Sequence, residues 1–337
     1  MNVDVKLFSQ ERCQGIKTVE EMERLCKDLQ PQIVEYMLSQ YKSEILQGKT
    51  PSDEPTIYII GGQNASGKSK LISTLNEQHK NSISIIIDDM KAHHPFRNYI
   101  DKNFPNESEE LLHLSCFEVF DKLLKELLEE KYDITIERTL GSKEKMERFL
   151  VEPSDHNYAI QIHVTATHEI NSLLSALERF MYECKLKDEF NKIGNGLKID
   201  PRPIGLSHHD NTCRKIGDVI NGAENGEFKN SNGKRIYPHV FVWDRTPEKP
   251  TLMYETGDEK YTCAKQAMYE GRERDLKRCR SVGDLGYVKR VEGMRSELES
   301  AGPGDTLFDY KEYCYGFLSE IEKRGSKYIG EPDKNKS

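Results

Sequence analysis

The 337-residue sequence has no run of about 18 apolar residues, the minimum length of a membrane-spanning helix. Residues 1–15 carry scattered charges and lack the apolar stretch of a secretory signal, so we expect a cytoplasmic protein with no membrane partner. The eight cysteines form no C-x-x-C pair and have no zinc-like spacing with histidine. This pattern favours reduced thiols over a structural metal or a disulfide framework.

An excess of positive charge is also missing. The formal net charge of -8 at pH 7 argues against a protein whose main task is to neutralise nucleic-acid phosphates. One basic stretch, residues 272–280, is interleaved with acids and has no aromatic platform beside it. A solvated helix face is therefore favoured there over a nucleic-acid contact.

The chain divides into three parts: a helical N-terminal segment (1–50), a central domain (51–255) and a helical C-terminal extension (256–337). In the first part, Thr18 and Glu21 are spaced as a capping box, and Pro31 interrupts the helical pattern. In the central part, short apolar runs alternate with helical segments, which is typical of an α/β fold with a mostly parallel sheet. The five predicted strands are Thr56–Gly61, Ile83–Ile87, Ile134–Glu137, Ala159–Thr165 and His239–Trp243.

A long helix is predicted between the second and third of these strands. Its apolar residues recur every three or four positions and indicate one face that covers the sheet. They are Leu111, Leu114, Phe117, Phe120, Leu124 and Leu127.

The strongest motif follows the first predicted strand. Gly62-Gln63-Asn64-Ala65-Ser66-Gly67-Lys68-Ser69 fits G-x-x-x-x-G-K-[ST], a loop whose backbone N–H groups surround phosphate oxygens. In this pattern the lysine reaches the terminal phosphates and the serine hydroxyl binds Mg²⁺. A buried strand before the loop and a helix after it complete the context. The sequence therefore predicts a P-loop NTPase fold with ATP and Mg²⁺ as cofactors.

The class of P-loop chemistry is narrowed by two further features. A GTPase needs an Asn-Lys-x-Asp motif, and the nearest match, at 191–194, ends in glycine instead of the acid. The second predicted strand is followed at once by Asp88-Asp89, where small-molecule kinases place an acid that faces the acceptor. A kinase with an alcohol group as acceptor is thus favoured.

Asp88 is the predicted general base, positioned to accept the proton of the attacking hydroxyl if the second strand neighbours the first. The sequence alone leaves Asp89 as an alternative, and helix capping as another role for the pair. Glu137, which ends the third strand, is expected to hold Mg²⁺ through water or to bind the acceptor. Arg179 and Arg202 each look like surface charges when taken alone, although phosphoryl transfer needs such cations.

Two histidine clusters, His93-His94 and His208-His209-Asp210, raise the question of a metal site. Neither has ligand spacing with a fourth partner. Helix capping and local hydrogen bonds are favoured for both.

Considered together, the motifs across residues 56–255 resemble those of the zeta toxin family. The resemblance rests on Gly61-Gly62-Gln63, Ile87-Asp88 with Lys91 and His94-Pro95, Ile136-Glu137-x-Thr139, Ile170-Asn171-Ser172, Leu177-Glu178-Arg179, Arg202 with His209-Asp210, and Val240–Asp244 with Arg245.

This resemblance implies an ATP-dependent kinase that phosphorylates a hydroxyl of UDP-N-acetylglucosamine or a similar UDP-sugar, with a helical antitoxin in trans or in cis as partner. The N-terminal helices are the candidate for the antitoxin in cis. The implied roles are ATP and Mg²⁺ binding for Lys68 and Ser69, catalytic base for Asp88, acceptor binding for Glu137, Thr139, Lys91 and His94, and stabilisation of the transferred phosphate for Arg179 and Arg202.

The sequence departs from the family pattern at two places. Asn64-Ala65 replaces the usual Pro-Gly of the loop, where no side chain is needed for the chemistry. Arg138 and Gly141 stand where the family has Gly and Arg, so the acceptor pocket is expected to differ. The alternatives that stay open are a kinase of another nucleotide or of a nucleic-acid end, and an ATP-binding regulator without catalysis.

Overall fold

The computed structural model describes residues 5–8, 10–104, 107–193, 201, 203, 205–246, 248–281 and 286–329. The strands are β1 Thr56–Gly61, β2 Ile83–Ile85, β3 Ile134–Arg138, β4 Ala159–Thr165, β5 His239–Asp244 and β6 Thr251–Glu255. The helices are α1 Val19–Asp28, α2 Gln30–Ile45, α3 Lys68–Gln78, α4 Ile87–Met90, α5 Arg97–Asn103, α6 Ser108–Glu129, α7 Lys143–Asp155, α8 Glu169–Ile193, α9 Leu206–Glu224, α10 Ala264–Cys279, α11 Tyr287–Ser300, α12 Thr306–Asp309 and α13 Lys311–Ile329.

The strands form a six-stranded sheet in the order β2-β3-β1-β4-β5-β6. The pairs β2–β3 and β4–β5 are parallel, whereas β5–β6 is antiparallel. The predicted α/β class with a mostly parallel sheet is confirmed, and the sixth strand was missed. β2 ends at Ile85 and not at Ile87, because α4 begins at Ile87 and contains Asp88 and Asp89. The neighbour of β1 is β3 and not β2.

The chain forms two compact units, the first comprising residues 1–57, 79–136 and 156–158. Within it, the predicted capping box is present at the start of α1. Thr18 Oγ1 accepts the Glu21 N–H at 3.2 Å, and the Glu21 carboxylate accepts the Thr18 N–H at 3.1 Å. Pro31 lies in the first turn of α2, where a missing N–H costs no helical hydrogen bond.

The apolar face of α6 differs in part from the prediction. Leu111, Phe120, Leu124 and Leu127 are buried as expected. In contrast, the side chains of Leu114 and Phe117 are 40% and 56% exposed. The rotation of about 100° per residue turns these two positions away from the buried stripe, which Cys116, Val119 and Leu123 complete.

The second unit comprises residues 58–78, 137–155 and 159–337. One apolar cluster is built around α8, where Leu177 and Phe180 pack with Leu298 of α11 and with Phe317 and Ile321 of α13. The C-terminal helices therefore share a core with α8. The boundaries predicted at residues 50 and 255 stay predictions.

No helix in the described part of the chain is both long and apolar enough to cross a membrane.

Candidate active site

The phosphate loop connects β1 to α3 within the second unit. Three of its residues have positive φ angles: Gly62 at 157°, Ala65 at 57° and Gly67 at 94°. Gly67 has its left-handed conformation directly before α3, a conformation that glycine adopts without strain. The strand, the glycine-containing turn and the helix that the motif predicts are therefore present.

Gly62 is required by close packing as well as by its φ angle. A Cβ atom at this position would lie 2.3 Å from Ser66 Oγ and 2.5 Å from Thr165 Oγ1. Both distances are shorter than any normal contact, so a side chain would push the loop away from β4.

We expect the Gly62→Ala variant to bind ATP about ten- to a hundredfold more weakly, the equivalent of the ~1–3 kcal/mol typical of overpacking. Isothermal titration calorimetry measures the affinity. The matched control is Gly293→Ala on α11, where a Cβ atom meets nothing within 4 Å. Equal ATP affinity in the Gly62 variant and the control would contradict the assigned loop geometry.

Lys68 is held at the base of the loop. Its Nζ donates to the carbonyl oxygens of Gly62 at 3.1 Å and Gln63 at 3.0 Å, and lies 3.4 Å from Glu137 Oε1. The side chain is only 7% exposed, whereas that of Glu137 is 34% exposed. The loop carbonyls thus hold the lysine in place, and the Glu137 carboxylate at the end of β3 lies beside it.

Burial lowers the pKa of Lys68, and the attraction of Glu137 opposes this shift. Arg179 of α8 also lies near enough to lower that pKa by charge repulsion. The Arg179 side chain is 52% exposed and its Nε lies 3.6 Å from Glu183 Oε1. The structure therefore brings three predicted residues, Lys68, Glu137 and Arg179, to one place.

The end of β4 supports the loop, a feature that the sequence analysis did not identify. Thr165 Oγ1 donates to Ser66 Oγ at 2.8 Å, and Thr167 Oγ1 donates to the Ser66 carbonyl at 2.7 Å. Gln63, which is fully buried, donates from Nε2 to the Thr167 carbonyl at 2.7 Å. The sequence signal that could have indicated this support is the pair of threonines at the carboxyl end of a predicted strand.

His209 belongs to a buried hydrogen-bond chain that begins at the loop. Gln63 Nε2 donates to Ser172 Oγ at 3.3 Å, and Ser172 Oγ lies 2.8 Å from His209 Nε2. His209 Nδ1 lies 3.3 Å from Asp210, whose carboxylate binds the Arg324 guanidinium at 2.6 and 2.9 Å. Among the described residues, no group of three His, Cys, Asp or Glu side chains is placed to hold a metal ion.

In the first unit, Asp88 lies on α4 with its side chain 56% exposed. Lys91 Nζ donates to Asp88 Oδ1 at 2.8 Å and also binds the Glu109 carboxylate. Lys91 is almost fully buried, so it fixes the orientation of Asp88 from below. The backbone before α4 is held by Tyr41, whose hydroxyl accepts the Ile86 N–H at 3.1 Å.

The neighbouring Asp89 has a raised pKa, caused first by burial and then by the charges of Asp88 and Glu44. The two aspartates therefore have different surroundings although they are adjacent.

His94 is buried, and its Nδ1 accepts the Phe96 N–H at 3.2 Å. Burial lowers its pKa from 6.5 to about 3. Its predicted contact with the acceptor stays a prediction, as does that of Thr139, which follows β3 directly. Ser69 is exposed in the first turn of α3, and Arg202 lies outside the described residues.

The lowered pKa of His94 makes stability depend on pH. The unfolded chain takes up a proton at this residue below pH 6.5 and the folded chain does not, so the stabilisation present above pH 6.5 is lost as the pH falls toward 3. The control is His94→Asn, which does not titrate and whose amide oxygen can also accept the Phe96 N–H. When the pH is lowered from 7.5 to 5, we expect the free energy of unfolding of the native protein to fall by up to about 2 kcal/mol more than that of the variant. Urea unfolding followed by circular dichroism measures this difference. Equal losses in the two proteins would show that His94 does not titrate as assigned.

The fold and the loop define a P-loop nucleotide-binding protein of the kinase-like class. The family model described as zeta toxin matches residues 42–245, and the chain belongs to the zeta toxin family.

Similar proteins include the toxin zeta of Enterococcus hirae, which is 26% identical over 151 residues, 44% of this chain and 52% of that protein. The toxin PezT of Streptococcus pneumoniae is 24% identical over 146 residues, 43% of this chain and 58% of that protein. The chain thus spans about half the length of the curated relatives that it matches.

A solved structure from the PezAT chromosomal toxin–antitoxin system of Streptococcus pneumoniae is similar in fold. Its TM-score is 0.55 at 16% identity, over 85% of this chain and 96% of the other.

Proposed function

We propose that this protein is a toxin that transfers the γ-phosphate of ATP to a hydroxyl group of a UDP-aminosugar. The observation that carries the proposal is the buried Lys68 in a phosphate loop, paired with Glu137 at the end of the adjacent strand. A cation at the base of an anion-binding loop stabilises the charge that spreads over the transferred group.

Asp88 is the proposed base. Its carboxylate accepts the proton of the acceptor hydroxyl while that oxygen forms a bond to the γ-phosphorus. The bond from the γ-phosphorus to the bridging oxygen breaks, and ADP leaves. Lys91 orients the Asp88 carboxylate by donating a hydrogen bond to it. Arg179 and Arg202 are the proposed cations for the transferred phosphate.

The donor set suits Mg²⁺, which prefers oxygen ligands and retains several waters. Ser69 Oγ in the exposed first turn of α3 and the partly exposed Glu137 carboxylate are the groups that would hold it. When bound, Mg²⁺ neutralises charge on the phosphates of the nucleotide.

The test is mass spectrometry of a mixture of nucleotide sugars incubated with the protein, ATP and Mg²⁺. We expect one added phosphate on a UDP-aminosugar, and none with Lys68→Ala. Consumption of ATP without that product would reject this acceptor and favour another nucleotide or a nucleic-acid end. A protein that binds ATP without any turnover would reject the kinase.

An antitoxin is the proposed partner, because the similar solved structure comes from a toxin–antitoxin system. Residues of α2 such as Ile33 and Met37 are fully buried inside the first unit. These helices are therefore part of a core, which favours an antitoxin in trans over one made by the N-terminal segment. Induced expression without a partner is expected to stop growth, and expression of Lys68→Ala is not. Equal growth of the two strains would reject the toxin.

A further inference from the structure

A cavity of about 510 Å³ lies beside the phosphate loop, inside the second unit. Gly67 and Lys70 form its edge toward the loop, and Ser175 and Glu178 of α8 form another wall. A further wall comes from two helices beyond the family match at 42–245. They contribute Asp275, Arg278 and Cys279 from α10 and Arg290 from α11.

Arg290 joins α11 to α8 at this cavity. Its guanidinium donates to both carboxylate oxygens of Glu178 at 2.6 Å and to Ser175 Oγ at 3.0 Å. A further bond goes to the Asn171 side chain. With a side chain only 9% exposed, Arg290 is a fixed part of the wall.

Arg245 joins the same wall to the phosphate loop. It donates to the Ala65 carbonyl at 3.2 Å and to Ser175 Oγ at 2.9 Å. Ser175 therefore accepts hydrogen bonds from Arg245, which follows β5, and from Arg290, which lies on α11. Arg245 binds the Ala65 carbonyl directly, so its contact with the loop does not require Arg290.

Arg278 of α10 completes the network. It binds both oxygens of the Asp244 carboxylate, the Arg245 carbonyl at 2.8 Å and Asp275 at 3.2 Å. Asp275 is 1% exposed and also accepts the His168 N–H at 2.9 Å. Arg278 therefore links α10 to the end of β5.

The arginines along the cavity have carboxylate partners. Arg278 is paired with Asp275 and with Asp244, which lies behind the lining, and Arg290 is paired with Glu178. Burial lowers the pKa of Arg245, and the charges of Asp275 and Glu178 oppose this shift. The exposed Lys70 adds a positive charge only at the edge toward the loop, where the phosphates of the donor are proposed to lie. The paired charges of the wall offer little attraction for a second anion. The wall suits a neutral ring that carries both donors and acceptors, and guanidinium planes also stack on such rings.

We propose that α10 and α11 complete the nucleotide site, with Arg278 and Arg290 shaping this cavity to hold the base and ribose of the phosphate donor. The proposal rests on the proposed function, since it assigns the donor's phosphates to the neighbouring loop. The cavity volume lies within the ~300–1,000 Å³ usual for small-molecule sites. Glu178, whose side chain is 40% exposed, is the acceptor available to the N–H groups of a base.

The test compares two ligands, ATP and inorganic tripolyphosphate, each titrated calorimetrically with Mg²⁺ into the full chain. Arg290→Ala removes one wall, and Thr246→Phe fills the cavity from the loop after β5, outside the buried core. We expect each variant to weaken ATP binding about tenfold or more and to leave tripolyphosphate affinity within about twofold. Tripolyphosphate binding also shows that the variants are folded.

The matched control is Arg295→Ala, which removes an equal charge from the exposed face of the same helix. We expect it to bind both ligands as the native protein does. Unchanged ATP affinity in both Arg290→Ala and Thr246→Phe would overturn the inference. It would not contradict the assignment of the loop as the phosphate site. Equal weakening of both ligands would also overturn it, because the effect would then lie in the loop. A native protein that binds neither ligand would overturn the proposed function itself.

Discussion

The Asp88→Asn variant is expected to turn over ~10²–10⁴-fold more slowly than the native protein while its ATP affinity stays within about threefold. The amide has the shape of the carboxylate but does not accept the proton of the attacking hydroxyl. Lys91 keeps Glu109 as a partner in the variant, so the fold around α4 is retained. Product formation followed by mass spectrometry, together with ATP titration, separates the two effects.

Asp89→Asn is the matched control, since it removes the same charge one residue along the same helix. We expect its turnover to remain close to that of the native protein, because Lys91 orients the carboxylate of Asp88 and not that of Asp89. Loss of turnover in the Asp89 variant alone would assign the base to Asp89. Full activity in both variants would remove the α4 carboxylates from the mechanism.

The Lys68→Ala variant is expected to lose at least ~10²–10³-fold in turnover, the usual effect of removing one donor that stabilises developing charge. ATP affinity should fall as well, because the lysine reaches the terminal phosphates. The substitution also removes the cation paired with Glu137 and one hydrogen-bond donor from each of two loop carbonyls. We expect assays of product formation to show this loss of turnover and calorimetry to show a lower ATP affinity.

Lys80→Ala serves as the control for this change. Lys80 follows α3 and is exposed, so the variant has the same net charge as Lys68→Ala but an intact loop. Its turnover and ATP affinity are expected to match the native values. If Lys68→Ala behaved like Lys80→Ala, the loop would not be a phosphate site and the kinase proposal would fail.

Local sequence was sufficient to predict the elements that depend on short-range chemistry. The structure has β1, β4, the capping box at Thr18 and the glycine-containing turn between β1 and α3 where they were predicted. Each is defined by neighbouring residues: a run of apolar side chains, a hydroxyl three residues before a carboxylate, or glycines at positions of positive φ. The residues matching the zeta toxin family were recognisable for the same reason.

β6 shows where local information was insufficient. Only two of its five residues, Met253 and Tyr254, are buried, and the other three are exposed. It exists because it pairs antiparallel with β5, and pairing partners are chosen by the whole sheet. The exposed Leu114 and Phe117 of α6 illustrate the same limit, since three- and four-residue steps alone did not show which side of the helix is covered.

Which residues meet in the site was also determined by the tertiary structure. The sequence alone determined the loop residues and the presence of acids after two strands, because both are short motifs. Only the strand order placed Glu137, rather than a residue of β2, beside Lys68. Likewise, no spacing in the sequence joins Ser66 to Thr165, or Glu178 to Arg290, 112 residues away. Such contacts depend on how distant segments pack, which is a property of the folded chain and not of any short stretch within it.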